Sequence, residues 1–222
     1  MTVNLDSVND GDIDGPQTPT LTATASGFDN GQTSLSVTDD DSVGSLTIGG
    51  KLTGHVAAGS YSVTASLVVP SQTSLILDPG ASIAFSSGQS LTVNGTLTAQ
   101  GTTFQPILLR SAAASPAPGD WTGIRFSTSS LETASSLSYI EIRHAQSGIF
   151  ASGGDPAITI DHADIHHNSV YGVEFQNALS SAVVLSNSRI HDNPNGILIR
   201  ALLLQIPIVD IRVRRSPEMN SI

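Results

Sequence analysis

Three stretches decide the fold: LSYIEIRHAQSGIF (137–150), IDHADIHHNSVYGVEF (160–175) and LSNSRIHDNPNGILI (185–199). Gly148, Gly172 and Gly196 recur at intervals of twenty-four, and Ile142, Ile165 and Ile190 at twenty-three and twenty-five. Around the middle stretch, three short runs stand out: AITI (157–160), ADI (163–165) and GVEF (172–175). Asp, His, Asn and Gly punctuate them, and within each run apolar residues alternate with others, as short strands do. A strand of this length buries almost nothing alone. Stacked on its equivalent one period later, it joins a parallel sheet whose rungs lie about 4.8 Å apart.

Three such sheets closing a prism form a solenoid in which each coil covers the core of its neighbour. Wide turns marked by Gly and Asn suit a right-handed parallel β-helix, so the predicted fold class is all-β, with about 24 residues per coil. An antiparallel sandwich would leave a period containing three strands unexplained. The period extends towards the N-terminus. LVVPSQTSLILDPGASIAF (67–85) aligns with LTVNGTLTAQGTTFQPILL (91–109), Leu67 and Val69 meeting Leu91 and Val93, and Ile83 and Phe85 meeting Ile107 and Leu109.

The segment SLILDPGASIAFSSGQSLTVNGTLTAQGTTFQPILLRS, followed by GDWTGIRF, resembles the opening coils of bacterial secreted right-handed β-helix proteins. The later coils, with their I-x-x-N and G-I/V-x-F/I patterns, resemble the parallel β-helix repeat. That resemblance implies an extracellular or cell-surface setting. The repeat serves pectate lyases, polygalacturonases, alginate-modifying enzymes and non-enzymatic surface proteins alike, so the fold leaves the function open.

The head differs. Eight of the nineteen acidic residues fall in the first 41 positions, and no Lys or Arg precedes Lys51. DIDGPQTPTLTATASGFDNGQTSLSVTDDD (12–41) resembles the C-terminal half of a Calx-beta repeat, an immunoglobulin-like sandwich. The resemblance rests on the acidic turn at Asp10, Asp12 and Asp14, the A-S-G-F turn and the closing V-T-D-D-D. It implies calcium held by Asp10, Asp12, Asp39, Asp40 and Asp41, a hard cation that takes six to eight oxygens. A full repeat is about twice this length, and residues 1–41 cannot close a two-sheet core alone. The alternative is a solvated acidic linker. Three segments are therefore expected: a partial Calx-beta-like head over 1–41, a β-helix over 42–200, and an atypical tail or cap over 201–222. Context of this kind suggests part of a larger multidomain protein.

A formal charge of −10 disfavours nucleic-acid partners. No run of eighteen apolar residues predicts a membrane span. The N-terminus lacks the basic start and apolar run of a signal peptide. The absence of Cys excludes thiolate chemistry and disulfides.

The cluster DHADIHHN (161–168) is the one place where chemistry concentrates. On the repeat, Asp164 should lie between Glu141 and Arg189, His166 between Arg143 and His191, and His167 between His144 and Asp192. All point outward, and the histidines should be largely hydrated. Asn168 and Asn193, together with Gly148, Gly172 and Gly196, should form a structural ladder. A zinc set of His166, His191 and Asp192 is disfavoured by Arg143 beside it. The candidate catalytic residues are Asp161, Asp164, His166 and Arg189. Polygalacturonase and pectate-lyase signatures are missing, and Lys51 is the sole lysine. Two functions remain open. One is a non-catalytic module contacting polysaccharide or cell-surface components. The other is the N-terminal part of a polysaccharide lyase or glycoside hydrolase. Aromatics make up 5% of the chain and Trp121 is its only tryptophan, which is sparse for a sugar-binding groove.

Overall fold

The computed structural model describes residues 20–23, 31–34, 46–127, 134–152, 157–178, 183–201 and 211–214. The chain divides into two compact units, 1–44 and 45–222. In the first, β1 (Thr20–Ala23) and β2 (Gly31–Ser34) pair antiparallel, Thr20 opposite Ser34. The proposed calcium ligands Asp10, Asp12, Asp39, Asp40 and Asp41 lie outside the described residues.

The second unit is a parallel β-solenoid, and no helix occurs among the described residues. It opens with β3 (Leu46–Lys51), β4 (Gly54–Val56) and the long, bent β5 (Gly59–Val69). The next coil is β6 (Ser74–Leu77), β7 (Ala81–Phe85) and β8 (Ser90–Val93). Then follow β9 (Thr96–Gln100), β10 (Ile107–Ser111) and β11 (Gly123–Phe126), and then β12 (Ser135–Ser138), β13 (Ile140–Arg143) and β14 (Ser147–Ser152). The last two coils are β15 (Ile158–Asp161), β16 (Asp164–His166) and β17 (Tyr171–Ala178), and β18 (Val183–Ser186), β19 (Ser188–His191) and β20 (Asn195–Ala201). A final strand, β21 (Ile211–Arg214), adds one more parallel rung beside β19. Part of the tail thus continues the stack.

Every third strand pairs with its equivalent, giving three faces. Face A runs β4-β6-β9-β12-β15-β18. Face B runs from the first limb of β5 through β7, β10, β13, β16 and β19 to β21, and face C from the second limb of β5 through β8, β11, β14 and β17 to β20. Faces B and C meet in β5, whose Tyr61 pairs with Ile83 and whose Leu67 pairs with Leu91.

Because side chains alternate, each face sends one stack inward. On face B this column is Tyr61, Ile83, Leu109, Ile142, Ile165 and Ile190, each at most 5% exposed. On face C it is Leu67, Leu91, Ile124, Ile149 and Val173, all fully buried. Burial of one such aliphatic side chain contributes roughly 1.5–3 kcal/mol, and apolar neighbours above and below make the coils interdependent.

One sequence alignment is corrected. Ile83 pairs with Leu109, not Ile107, and Phe85 with Ser111, not Leu109. The turn at 101–106 lengthens that coil by two residues. A shift of two leaves every side chain on the same side of the sheet, so the apolar pattern does not reveal it. The loop at 112–122 lengthens the same coil again, and Trp121 plugs its end. The indole is fully buried, stacks on Phe85 at 4.2 Å, and donates Nε1–H to the Arg143 carbonyl at 2.8 Å. Trp121 is therefore a core residue.

The glycines near the start of β14 and β17 have a steric cause. A Cβ on Gly172 would meet Ile190 Cγ2 at 2.4 Å and the Gly196 carbonyl at 2.9 Å, and one on Gly148 would meet Ile165 Cγ2 at 2.7 Å. At these positions the chain passes too close to the inward isoleucine of the next coil for any side chain.

Candidate functional site

The outward side of face B carries the chemistry. Register places Glu141, Asp164 and Arg189 in one row, and Arg143, His166 and His191 in the next. Both rows match the sequence expectation. Within them the groups bind each other. His166 Nε2 donates to Glu141 Oε1 at 3.2 Å, and Arg143 Nη1 reaches the same oxygen at 3.2 Å. His191 Nε2 donates to Asp164 Oδ1 at 2.8 Å, and its Nδ1 to Asp192 Oδ2 at 2.7 Å. Arg189 Nη1 lies 3.4 Å from Asp164 Oδ2. The imidazoles of His166 and His191 stack at 5.0 Å, 12° from parallel.

The expected hydration of these histidines is corrected. The side chains of His166 and His191 are only 13% and 15% exposed, because stacked neighbours cover an outward side chain as well as an inward one. His167 is exposed, as expected. Its Nδ1 approaches His166 Nδ1 at 2.6 Å.

At the corner between faces B and C, the backbone turns through residues with left-handed φ: His144 (63°), His167 (52°) and Asp192 (52°). The N–H of His144 donates to the His167 carbonyl and that of His167 to the Asp192 carbonyl. Just beyond lies the asparagine ladder. Asn168, fully buried, accepts the Ala145 N–H at Oδ1 (2.8 Å) and donates its own N–H and Nδ2 to Asn193 Oδ1, both at 2.9 Å. Asn193 Nδ2 donates to the Ile165 carbonyl at 3.0 Å. The ladder stops at Ala145, where the preceding coil has no amide to offer.

Of the four catalytic candidates, Asp164 and Arg189 form an ion pair, and His166 pairs with Glu141 instead. Asp161 belongs to face A. Its Oδ1 accepts from Ser186 Oγ (2.6 Å) and Asn187 Nδ2 (2.8 Å), and its Oδ2 lies 2.6 Å from His162 Nδ1. Burial opposes ionisation of Asp161, but the hydrogen bonds from Ser186, His162 and Asn187 outweigh it and lower its pKa. The Glu141 carboxyl is lowered chiefly by the hydrogen bond from His166, against burial and with help from Arg143. His144 is also lowered, first by burial and then by Arg143, His167 and His166, and its buried Nδ1 has no hydrogen-bond partner.

Asp192 was legible in the sequence as a neighbour of the histidines, whereas the pairing of Glu141 with His166 was not. Sequence reasoning also missed the stack of Tyr139 on His162 at 4.5 Å, which occupies the corner between faces A and B. Their left-handed φ values, 47° and 48°, mark that corner, and no local motif announces it. Among the described residues, no group of three His, Asp or Glu side chains is disposed to hold a metal ion, and no helix is long and apolar enough to cross a membrane.

No curated protein and no solved structure matches the chain. Two family models do. The ladder-bearing unit is a right-handed parallel β-helix, similar over residues 122–203 to the right handed beta helix region and over residues 49–148 to the pectate-lyase like beta helix domain.

Proposed function

We propose that this chain is a non-catalytic, extracellular β-helix module whose sides contact polysaccharide or other cell-surface components, as in the bacterial secreted proteins its coils resemble. The acidic head, read as a partial Calx-beta-like segment with calcium as its candidate ion, is part of the same proposal. One observation supports the non-catalytic reading most: the candidate acids on the outer faces are already engaged along the stack. A general acid works best with a pKa raised towards neutrality and a free approach to its substrate. Glu141 and Asp161 are shifted the other way. Asp164 is shared between His191 and Arg189.

The second reading, a lyase or hydrolase, is favoured by the pectate-lyase-like description of residues 49–148. A panel of soluble polysaccharides separates the two. Retardation in affinity gels, with neither new reducing ends nor unsaturated products, is the expected result. Turnover that disappears in Asp164→Asn would establish the enzymatic reading instead.

A further inference from the structure

We infer that the outer array of face B is a proton-operated latch: His191 stands in it as an imidazolium between two carboxylates, while His166 and His167 share one proton and part when a second arrives. An ionised carboxylate only accepts hydrogen bonds, whereas a neutral imidazole has one donor and one acceptor nitrogen. Both ring nitrogens of His191 face carboxylate oxygens, Asp164 Oδ1 at 2.8 Å and Asp192 Oδ2 at 2.7 Å. Both must therefore donate, and the ring carries two protons.

His166 is placed differently. Its Nε2 faces Glu141 and donates. Its Nδ1 faces another imidazole nitrogen, His167 Nδ1, at 2.6 Å. That contact is a hydrogen bond only while a single proton lies between the two nitrogens. A second proton sets two N–H donors head to head and also places a second cation against the stacked His191 ring at 5.0 Å.

The charged surroundings are shared among all the packed elements. Glu141 and Arg143 come from β13, Asp164 from β16, Arg189 from β19 and Asp192 from the turn that follows it, while β21 brings Arg214 into register with His191 and Arg212 with Arg189. Asp120, in the loop before β11, acts at a distance on His144. The His144 ring meets that of His167 edge-on at 6.2 Å and keeps a buried, unpartnered Nδ1. The carboxylates gather on His191, and the neutral imidazoles extend from it towards the corner.

The latch has a mechanical neighbour. His167 precedes Asn168, and its N–H and carbonyl tie the corner to the coils on either side. Parting His166 from His167 frees the ring that braces a left-handed turn beside the fully buried ladder amide. Acid therefore loosens the corner between faces B and C.

The test is a long-range proton–nitrogen correlation spectrum of the six histidines in the full chain, at about pH 7.5 and on titration to about pH 5, the range in which imidazoles commonly change charge. At the higher pH, both His191 nitrogens should show protonated-type shifts, and the His166–His167 pair should show one bare Nδ1. Asp192→Asn should return His191 to a single N–H. On acidification the Asn168 side-chain amide signals should move in the wild-type protein, and far less in His167→Gln. A wild-type His191 with one unprotonated nitrogen at the higher pH overturns the inference. So does an Asn168 amide that ignores acid.

Discussion

At the scale of the residue, asparagine and histidine side by side have opposite jobs. Asn168 satisfies a buried N–H of the preceding coil and is satisfied by Asn193 in the next. Its removal strands the buried Ala145 N–H, which costs about 1–3 kcal/mol. His166 and His191 engage carboxylates that are themselves 28% and 38% exposed. Partly solvated pairs of this kind are typically worth about 0.2–1 kcal/mol each. Asn168→Ala should therefore lower the urea midpoint more than His166→Ala combined with His191→Ala, and metal analysis of the purified protein should find no stoichiometric zinc. A double histidine variant that is the more damaged of the two, or bound zinc that it abolishes, would make the cluster a metal site. The alignment of these residues was legible in the sequence because the asparagines recur at the same offset from the inward isoleucines. Their coverage was not, since an outward direction says nothing about how far adjacent rungs bury one another.

At the scale of the element, a three-residue strand is held by its place in a column. Ile165 on β16 is buried because Ile142 and Ile190 flank it. The period of twenty-four made this column readable. The coil containing β9, β10 and β11 was harder, because its two lengthened turns alter the spacing without altering the inward–outward phase. The ionisable groups that punctuate the strands give this stack a pH dependence. His144 lies below its ordinary value of 6.5, so in the window beneath that value the folded chain binds fewer protons than the unfolded one. Its contribution is full above the ordinary value and is lost as the pH falls towards the lowered one. Glu141 and Asp161 lie below 4.5 and 3.8, and their contributions persist above those values and are lost as the pH falls through the lowered ones. Urea midpoints measured across pH should decline below about 6.5, from His144, and again under acid conditions, from the carboxylates. His144→Gln should shrink the first decline and leave the second. A His144→Gln protein whose midpoint falls below about pH 6.5 as much as the wild type's contradicts these signs.

At the scale of the whole molecule, the solenoid depends on parallel, in-register stacking of equivalent strands. The absence of cysteine makes that claim easy to probe. Ser136, Thr159 and Val184 occupy consecutive rungs on the outer side of face A, Ser136 paired with Thr159 and Thr159 with Val184. Neighbouring rungs lie about 4.8 Å apart and alternate rungs about twice that. Disulfides form when the Cα atoms are about 4.4–6.8 Å apart. The direct measurement is disulfide formation under mild oxidation in two otherwise identical proteins, Ser136→Cys with Thr159→Cys, and Ser136→Cys with Val184→Cys. A parallel β-helix with this register predicts an intramolecular crosslink in the first and none in the second. Crosslinking in the second pair, or in neither, would contradict it.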